Sequence, residues 1–262
     1  LVERRIVSPE FISNTEGRAL LVNSDESLSI MINEEDHIRI QAITKGLALE
    51  QTYDLVDKLD TLLDESLDFA FSEKLGYLTQ CPTNLGTGMR ASVMLHLPAL
   101  EKSRTIGRIA GNLSKLGLTI RGAYGEGSEP SGSLYQLSNQ VTLGISEKAA
   151  IENLENITKQ LVSQEQQARE RLAKSIDIQD SVSRSLGLLK SAMVMTHDEA
   201  LKLLSNVRFG ILSGQIKDVT AEVVDSLMEK IEPATLMVNS GKNLSAQERD
   251  IERAKILREA LS

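Results

Sequence analysis

The sequence predicts an α+β protein in which an antiparallel β-sheet flanked by helices is followed by a small all-α domain. Three observations lead to this prediction: a hairpin pattern within residues 18–43, apolar stripes at helical spacing further along, and a change of composition at residues 169–180. After that change, glycine loops and strand signals nearly disappear and leucine-rich helical segments continue to the C-terminus. We therefore predict two domains, residues 1–170 and residues 171–262.

The first strands are predicted on either side of a turn. Two apolar runs flank residues 23–27, whose sequence Asn-Ser-Asp-Glu-Ser favours a tight turn and hence an antiparallel hairpin. His37, Arg39 and Gln41 then alternate with apolar residues, which is the pattern of a half-buried strand. Arg39 is expected on the polar side of that strand, where it could face a cleft.

Apolar residues at helical spacing predict four helices. One begins at Leu49, and a second follows Pro98 and ends near Gly117, where a left-handed residue can stop it. A third covers about residues 147–172, and the glutamines and charges between its apolar positions form a solvated face. The fourth begins after Ser245, a helix N-cap, and its apolar side consists of Ile251, Ala254, Ile256 and Leu257.

Composition narrows the class of protein. The 262 residues, 41% of them hydrophobic, are enough for a sizeable core. The net charge of -8 argues against broad attraction to nucleic acid or to an anionic membrane, so any bound anion must be met locally. A single cysteine, Cys81, excludes an internal disulfide, and the sequence starts without the apolar region of a secretory signal. We expect a cytoplasmic protein with no membrane segment and no metal site.

Three short segments place a guanidinium beside a flexible loop. They contain Glu35 and Arg39 in NEEDHIR, Cys81 and Arg90 in CPTNLGTGMRAS, and Arg121 and Glu126 in IRGAYGEGSE. Phosphoryl transfer uses arginines to hold phosphate oxygens, and glycines let backbone N–H groups approach the same anion. Each segment alone is more often structural, and neither a Walker loop nor the glycine-rich signature of ordinary protein kinases occurs. Spacing alone therefore indicates a phosphate site and no particular reaction.

In this order, the three segments resemble the signature segments of the phosphagen (guanidino) kinase catalytic domain, over the chain up to Arg169. The chain resembles the bacterial protein-arginine kinases of that family most, because residues 138–144 read SNQVTLG where small-guanidino kinases have a basic SNKRRLG, and Met94 replaces their histidine. The segment RDIERA, residues 249–254, is similar to the RDxxRA motif of the helical C-terminal domain of protein-arginine kinases. The family's N-terminal SxRxR segment does not precede Glu35, so we expect the N-terminal part to be missing.

The resemblance implies ATP-dependent phosphorylation of arginine side chains in proteins, with Mg²⁺ bridging the phosphates. The implied catalytic-site residues are Arg39, Arg90 and Arg121 for the phosphates of ATP, Glu35 and Glu126 for the substrate guanidinium, and Cys81 beside that guanidinium. A guanidinium with a pKa above about 12 is a poor nucleophile, so the two carboxylates would align it and accept its proton. Arg249, Asp250 and Arg253 would bind phosphoarginine away from the catalytic cleft and act allosterically.

The resemblance also implies partners and leaves two alternatives. Phosphorylation would mark proteins for the ClpC–ClpP protease system and inactivate a heat-shock repressor in the stress response, with the zinc-binding activator protein McsA as partner and a homodimer or larger assembly. The first alternative is a non-catalytic module that binds phosphoarginine through residues 249–254. The second is a small-molecule guanidino kinase, which SNQVTLG and RDIERA disfavour.

Overall fold

The structure, a computed structural model, describes residues 1–122 and 131–262. The strands are β1 (Ala19–Val22), β2 (Leu28–Ile32), β3 (Ile38–Ala42), β4 (Phe71–Ser72), β5 (Gly76–Tyr77), β6 (Ser92–His96), β7 (Leu118–Gly122) and β8 (Leu134–Asn139). The helices are α1 (Pro9–Ser13), α2 (Leu49–Asp64), α3 (Pro98–Lys102), α4 (Ile106–Ser114), α5 (Glu147–Leu172), α6 (Ile176–Ser191), α7 (His197–Leu212), α8 (Ala221–Lys230), α9 (Pro233–Ser240) and α10 (Ala246–Leu261). None of the helices in the described residues is both long and apolar enough to cross a membrane.

The chain forms two compact units. The first unit contains Leu1–Val93, Leu113–Thr119 and Leu137–Thr158. The second contains Met94–Asn112, Ile120–Gln136 and Lys159–Ser262. The domain boundary at residues 170 and 171 stays a prediction from the sequence.

The first unit contains an antiparallel three-stranded sheet in the order β1-β2-β3. The hairpin is closed by Asn23, whose side-chain oxygen accepts from the backbone N–H of Leu28 at 2.9 Å. Met31 of β2 is fully buried and packs in a small core with Ile6, Val7 and Phe11. The predicted strands and the α+β fold with flanking helices are therefore confirmed.

The helix predicted after Pro98 is wrong in one respect, because two helices, α3 and α4, replace it. The break lies at Arg104, which adopts a left-handed backbone with φ 54°. The stop at Gly117 has the predicted left-handed backbone, with φ +70°, and a β-carbon there would lie 2.8 Å from a methyl group of Val141. Strand β7 follows this close approach and lies at one side of a second three-stranded sheet, with the order β6-β8-β7, while β4 and β5 form a two-stranded sheet.

The second unit has a core of leucines and other apolar residues from α6, α7, α8 and α10. Helices α6 and α7 approach closely at Gly210, where a β-carbon would lie 2.4 Å from a side-chain methyl of Val182. The helical C-terminal region predicted from composition is thus confirmed.

Helix α5 has its predicted bounds, but its polar side is not entirely solvated as predicted. Glu165 is only 4% exposed. Its two carboxylate oxygens accept the backbone N–H groups of Ala99 and Leu100, each at 2.9 Å. Because Leu97, the N-cap of α3, provides no side-chain hydrogen bond, Glu165 satisfies the free N–H groups at the start of α3. A remote carboxylate therefore replaces a local cap.

The C-terminal helix α10 begins at the predicted cap. Ser245 and Glu248 form a capping box, in which each side chain bonds the other residue's backbone N–H. The predicted apolar side is wrong at Ile251, which is 45% exposed, whereas Arg253 is 1% exposed. The helix is thus rotated so that an arginine occupies the interior.

Candidate active site

The loop from Cys81 to Arg90, which we call the Cys81 loop, is anchored by hydrogen bonds to Thr142. The hydroxyl of Thr142 lies 3.0 and 2.8 Å from the carbonyl oxygens of Thr83 and Leu85, and its single proton is shared between them. Gly86 has φ +109°, and a β-carbon there would lie 2.3 Å from the carbonyl oxygen of Thr142. Only glycine fits this approach, so the loop has a defined shape although much of its outer side is exposed.

Asn139 fixes the chain on both sides of Arg90. Its side-chain oxygen accepts the N–H of Ala91 at 2.7 Å, and its amide donates to the carbonyl oxygens of Met89 and Val141, both at 3.1 Å. Asn139 is 3% exposed and all of these bonds go to backbone groups. The backbone that carries Arg90 is therefore rigidly placed.

Three of the predicted site residues are joined by a chain of hydrogen bonds, which we call the site network: Glu35, Asn84, Arg90, Thr83 and Cys81. Asn84 donates to the Glu35 carboxylate at 3.4 Å and accepts from Arg90 Nε at 3.1 Å. Arg90 Nη2 also donates to the Thr83 hydroxyl at 3.2 Å, which lies 3.0 Å from the sulfur of Cys81. A carboxylate suited to a cation thus lies close to a guanidinium suited to an anion.

Glu35 is placed by its two neighbours. The carboxylate of Asp36 accepts the backbone N–H of Gln80 at 2.7 Å, which ties the segment after β2 to the start of the Cys81 loop. The carboxylate of Glu34 accepts the hydroxyl of Ser8 and the backbone N–H of Glu35, both at 2.7 Å. These bonds leave the Glu35 side chain exposed while its backbone is held.

Arg39 is paired with Glu34, with 3.1 Å between Nη1 and a carboxylate oxygen. Burial by itself would raise the pKa of Glu34. The hydrogen bonds from Ser8 and Glu35 and the charge of Arg39 outweigh burial, so the pKa of Glu34 lies below its ordinary value. Glu34 is therefore ionised and holds Arg39, whose side chain remains 45% exposed.

The other two predicted catalytic-site residues lie elsewhere in the chain. Arg121 lies on β7 and belongs to the second unit. Glu126 lies outside the described residues. The roles predicted for both stay predictions.

The predicted phosphoarginine residues lie at the start of α10. Arg253 donates to the carbonyl oxygens of Ile231 and Met195, at 3.1 and 2.9 Å, and to the Asp250 carboxylate at 2.5 Å. Arg249 donates to the carbonyl oxygen of Leu244 at 2.9 Å. Asp250 and Arg253 therefore meet, and Arg253 holds together three segments of the second unit.

Comparison with known proteins identifies the family. The family model for the C-terminal catalytic domain of ATP:guanido phosphotransferases matches residues 1–168. The chain belongs to the ATP:guanido phosphotransferase family. Residues 175–262 match a second model, the C-terminal domain of the protein-arginine kinase McsB. The expected family is thereby confirmed.

Relatives and solved structures agree with this ATP:guanido phosphotransferase assignment. The protein-arginine kinase of Halothermothrix orenii is 51% identical over 264 residues, which cover 100% of this chain and 76% of the relative. That of Clostridium acetobutylicum is 47% identical and covers 99% of this chain and 77% of the relative. A lombricine kinase crystal structure matches with TM-score 0.53 and 32% identity, over 61% of this chain and 44% of that chain.

A duplicated taurocyamine kinase from Schistosoma mansoni, solved with transition-state analogue components, is similar to a larger part of the chain. It matches with TM-score 0.56 and 27% identity, over 83% of this chain and 28% of that chain. The chain therefore spans less than half the length of either solved kinase.

For an ATP:guanido phosphotransferase, the residues present fit a bound nucleotide. No carboxylate pairs with Arg90 in residues 1–122 and 131–262, and its two hydrogen-bond partners there, Asn84 and Thr83, are neutral. The charge of this exposed guanidinium is therefore available to a phosphate. Arg39 is a second donor, although it shares its charge with Glu34. Mg²⁺ would be held mainly through the phosphates, where it would neutralise charge.

Sequence reasoning missed three residues of the site: Asn84, Thr83 and Asn139. Asn84 and Thr83 are neutral loop residues, and nothing in their spacing distinguishes them from ordinary turn formers. Asn139 carried a weak signal, because it lies inside the SNQVTLG segment that was noted for another reason. Their positions became clear only from contacts across 48 to 59 residues of chain.

Proposed function

We propose that this protein transfers the γ-phosphoryl group of ATP to arginine side chains of other proteins, as the names of its relatives suggest. The observation that supports it most is the site network, in which Asn84 joins Glu35 to Arg90. A carboxylate that attracts a guanidinium and a guanidinium that attracts a phosphate lie on two sides of one amide. Phosphoryl transfer to arginine needs such a pair.

In this reaction Glu35 orients the substrate guanidinium and accepts its proton as the nitrogen attacks. A nitrogen–phosphorus bond forms while the bond between the γ-phosphorus and its bridging oxygen breaks, and ADP leaves with that electron pair. Arg90 and Arg39 stabilise the negative charge on the phosphates. Cys81 borders the guanidinium, and Glu126 would supply a second carboxylate.

The wider role is part of the same proposal. The modified arginines mark proteins for the ClpC–ClpP protease system and regulate a stress response that includes a heat-shock repressor, with McsA as activator. The protein acts in the cytoplasm as a homodimer or larger assembly, and residues 249–254 bind phosphoarginine. Similarity of residues 175–262 to the McsB C-terminal domain supports this role.

The test is to incubate the intact natural protein with ATP, Mg²⁺ and an arginine-containing acceptor protein. We expect a mass gain of one phosphoryl group that disappears in mild acid, because a phosphoramidate is acid-labile. The same acceptor with its arginines replaced by lysine is the matched control and should gain no mass.

Two results would favour the alternatives. No mass gain on any acceptor, together with binding of phosphoarginine, would indicate a non-catalytic binding module. Phosphorylation of free guanidino compounds but not of the protein would indicate a small-molecule guanidino kinase.

A further inference from the structure

An open groove of about 230 Å³ lies in the first unit beside the Cys81 loop. Its lining includes the apolar residues Phe71, Leu75 and Tyr77 and two charged residues, Lys74 and Glu147. Phe71 is 58% exposed although it is a large aromatic residue, and its ring meets the ring of Tyr77 edge to face at 5.2 Å. The groove therefore offers aromatic surface to a ligand.

An acidic face of helix α2 adjoins the groove at Tyr77. Asp57, Asp60 and Asp64 follow one face of α2, and Glu147 lines the groove itself; we call these four residues the acidic wall. The hydroxyl of Tyr77, which lines the groove, donates to Asp60 at the long distance of 3.5 Å. The acidic wall and the aromatic surface thus adjoin.

The carboxylates of the acidic wall lack ion-pair partners among the described residues. In the part of the chain that the structure describes, no lysine or arginine forms an ion pair with any of its four carboxylates. Burial, then the charges of Asp64 and Asp57, raise the pKa of Asp60. Residues 50–74 hold eight acidic residues and two lysines, so this segment carries a net negative charge in a chain whose net charge is -8. A ligand that carries positive charge would relieve this repulsion.

The groove adjoins the Cys81 loop, which contributes two of its lining residues. The backbone N–H of Tyr77 donates to the carbonyl oxygen of Gly86 at 2.8 Å, and Gly86 donates back to Tyr77 at 3.3 Å. Gly86 and Thr87 line the groove, while Asn84 of the same loop belongs to the site network. A peptide segment bound in the groove would therefore be anchored on the loop that carries the active site.

We propose that this groove docks a cationic side chain of the protein substrate, close in sequence to the arginine that is phosphorylated. The alkyl stem of lysine or arginine packs on Phe71 and Tyr77, and the charged end meets the acidic wall. Aromatic surface beside carboxylates that form no ion pair with a described residue is complementary to a cation and not to a neutral or acidic segment. This inference rests on the proposed function, and it makes basic segments the preferred substrates.

The test uses two acceptor peptides that each contain one arginine, flanked by lysines in one and by glutamines in the other. Asp57→Asn with Asp64→Asn should raise KM for the lysine-flanked peptide about fivefold in the intact protein, because two exposed charges of the wall are lost. KM for the glutamine-flanked peptide, KM for ATP and kcat should stay the same. Higher salt should raise KM for the lysine-flanked peptide in the wild type and hardly in the variant.

Two further variants sharpen the test. Glu10→Gln with Glu16→Gln removes the same charge from exposed positions of the same unit, and it should leave KM for both peptides unchanged. Lys74→Gln removes a cation from the groove lining and should lower KM for the lysine-flanked peptide. Equal effects of the Asp57/Asp64 and Glu10/Glu16 variants would overturn the groove as a docking site.

Binding without ATP separates this inference from the proposed function. Fluorescence anisotropy of the labelled lysine-flanked peptide should show weaker binding to the Asp57/Asp64 variant than to the wild type, whether or not transfer occurs. Unchanged affinity would contradict the inference. Absence of phosphorylation of both peptides, with the affinity difference intact, would contradict only the proposed kinase activity.

Discussion

Arg90 and Arg253 are both arginines that the sequence assigns to anion binding, but their surroundings differ. Arg90 is exposed, and its hydrogen bonds go to the side chains of Asn84 and Thr83 on the same loop. Arg253 is 1% exposed, and its bonds go to Asp250 and to the backbone carbonyls of Ile231 and Met195. A ligand can replace the hydrogen-bond partners of Arg90, whereas Arg253 is packed in the interior.

This difference separates an arginine whose donors are open to a ligand from one whose donors are used within the fold. Exposed partners of Arg90 can be rehydrated when phosphate oxygens take their place, so binding of an anion costs little. Displacing Arg253 would leave two buried carbonyl oxygens and a carboxylate without donors, which costs far more. A motif therefore identifies candidate residues, and the partners of each residue decide what it can do.

Arg90→Ala should have the largest effect, and it should be on activity. Removing a charge-stabilising donor lowers phosphoryl transfer by about 10³-fold, or about 4 kcal/mol. The free energy of unfolding should change by less than about 0.5 kcal/mol, because the residue is exposed. Initial rates and urea denaturation measure the two quantities, and a rate close to that of the wild type would make Arg90 a structural residue.

Arg253→Ala should show the reverse pattern. We expect a loss of about 3 kcal/mol in the free energy of unfolding, because a buried charge pair loses one partner and two carbonyls lose their donor. Urea denaturation of this variant beside Arg249→Ala provides the comparison, since Arg249 is only half-buried. Equal stability of the two variants would contradict the structural role of Arg253.

Glu165→Ala tests a second buried group of the same unit. The start of α3 would lose two hydrogen bonds to its backbone N–H groups, which should lower the free energy of unfolding by about 2 kcal/mol. Glu165→Gln keeps one acceptor oxygen and should lose less. Thermal and urea unfolding measure both variants, and an unchanged midpoint for Glu165→Ala would show that water can replace this cap.

Asp250→Ala should have the smallest effect on function of the four, and it should destabilise the fold less than Arg253→Ala, because Arg253 keeps its hydrogen bonds to the carbonyl oxygens of Ile231 and Met195. If residues 249–254 bind phosphoarginine, Asp250 meets the guanidinium of the ligand, and its loss should weaken binding about tenfold, or about 1.4 kcal/mol. Calorimetry with free phosphoarginine compares the variant with the wild type, and the basal ATP site should be unaffected. Equal phosphoarginine affinities of the variant and the wild type would show that Asp250 does not contact the ligand and that the segment is an ordinary helix.

The sequence predicts the elements whose signal is local. Helix α2 begins at Leu49 as its stripe predicts, and α10 begins after Ser245 because its capping box involves only neighbouring residues. The break at Arg104 was not predictable, since neither glycine nor proline marks it. Glu165 was assigned to solvent because the N–H groups it caps lie 65 and 66 residues away in sequence.

The same limit applies to the site. Glu35, Cys81 and Arg90 were recognised because their segments have distinctive sequence motifs, and the structure brings the three together. Asn84, which joins two of them, has no charge and no periodicity that sequence reasoning could use. Two of the three partners of Arg253 are backbone carbonyls, which carry no signal in a sequence.

Phosphoryl transfer by Glu35→Gln in the intact protein tests the central claim most directly, because Glu35 is the carboxylate of the site network. The variant keeps the size and the hydrogen bonding of the side chain but loses the charge that orients and deprotonates the substrate guanidinium. We expect formation of acid-labile phosphoarginine on an acceptor protein to fall by about 10²-fold or more, with ATP affinity within about twofold of the wild type. A transfer rate equal to that of the wild type, or an equal loss of ATP affinity and rate, would contradict the account.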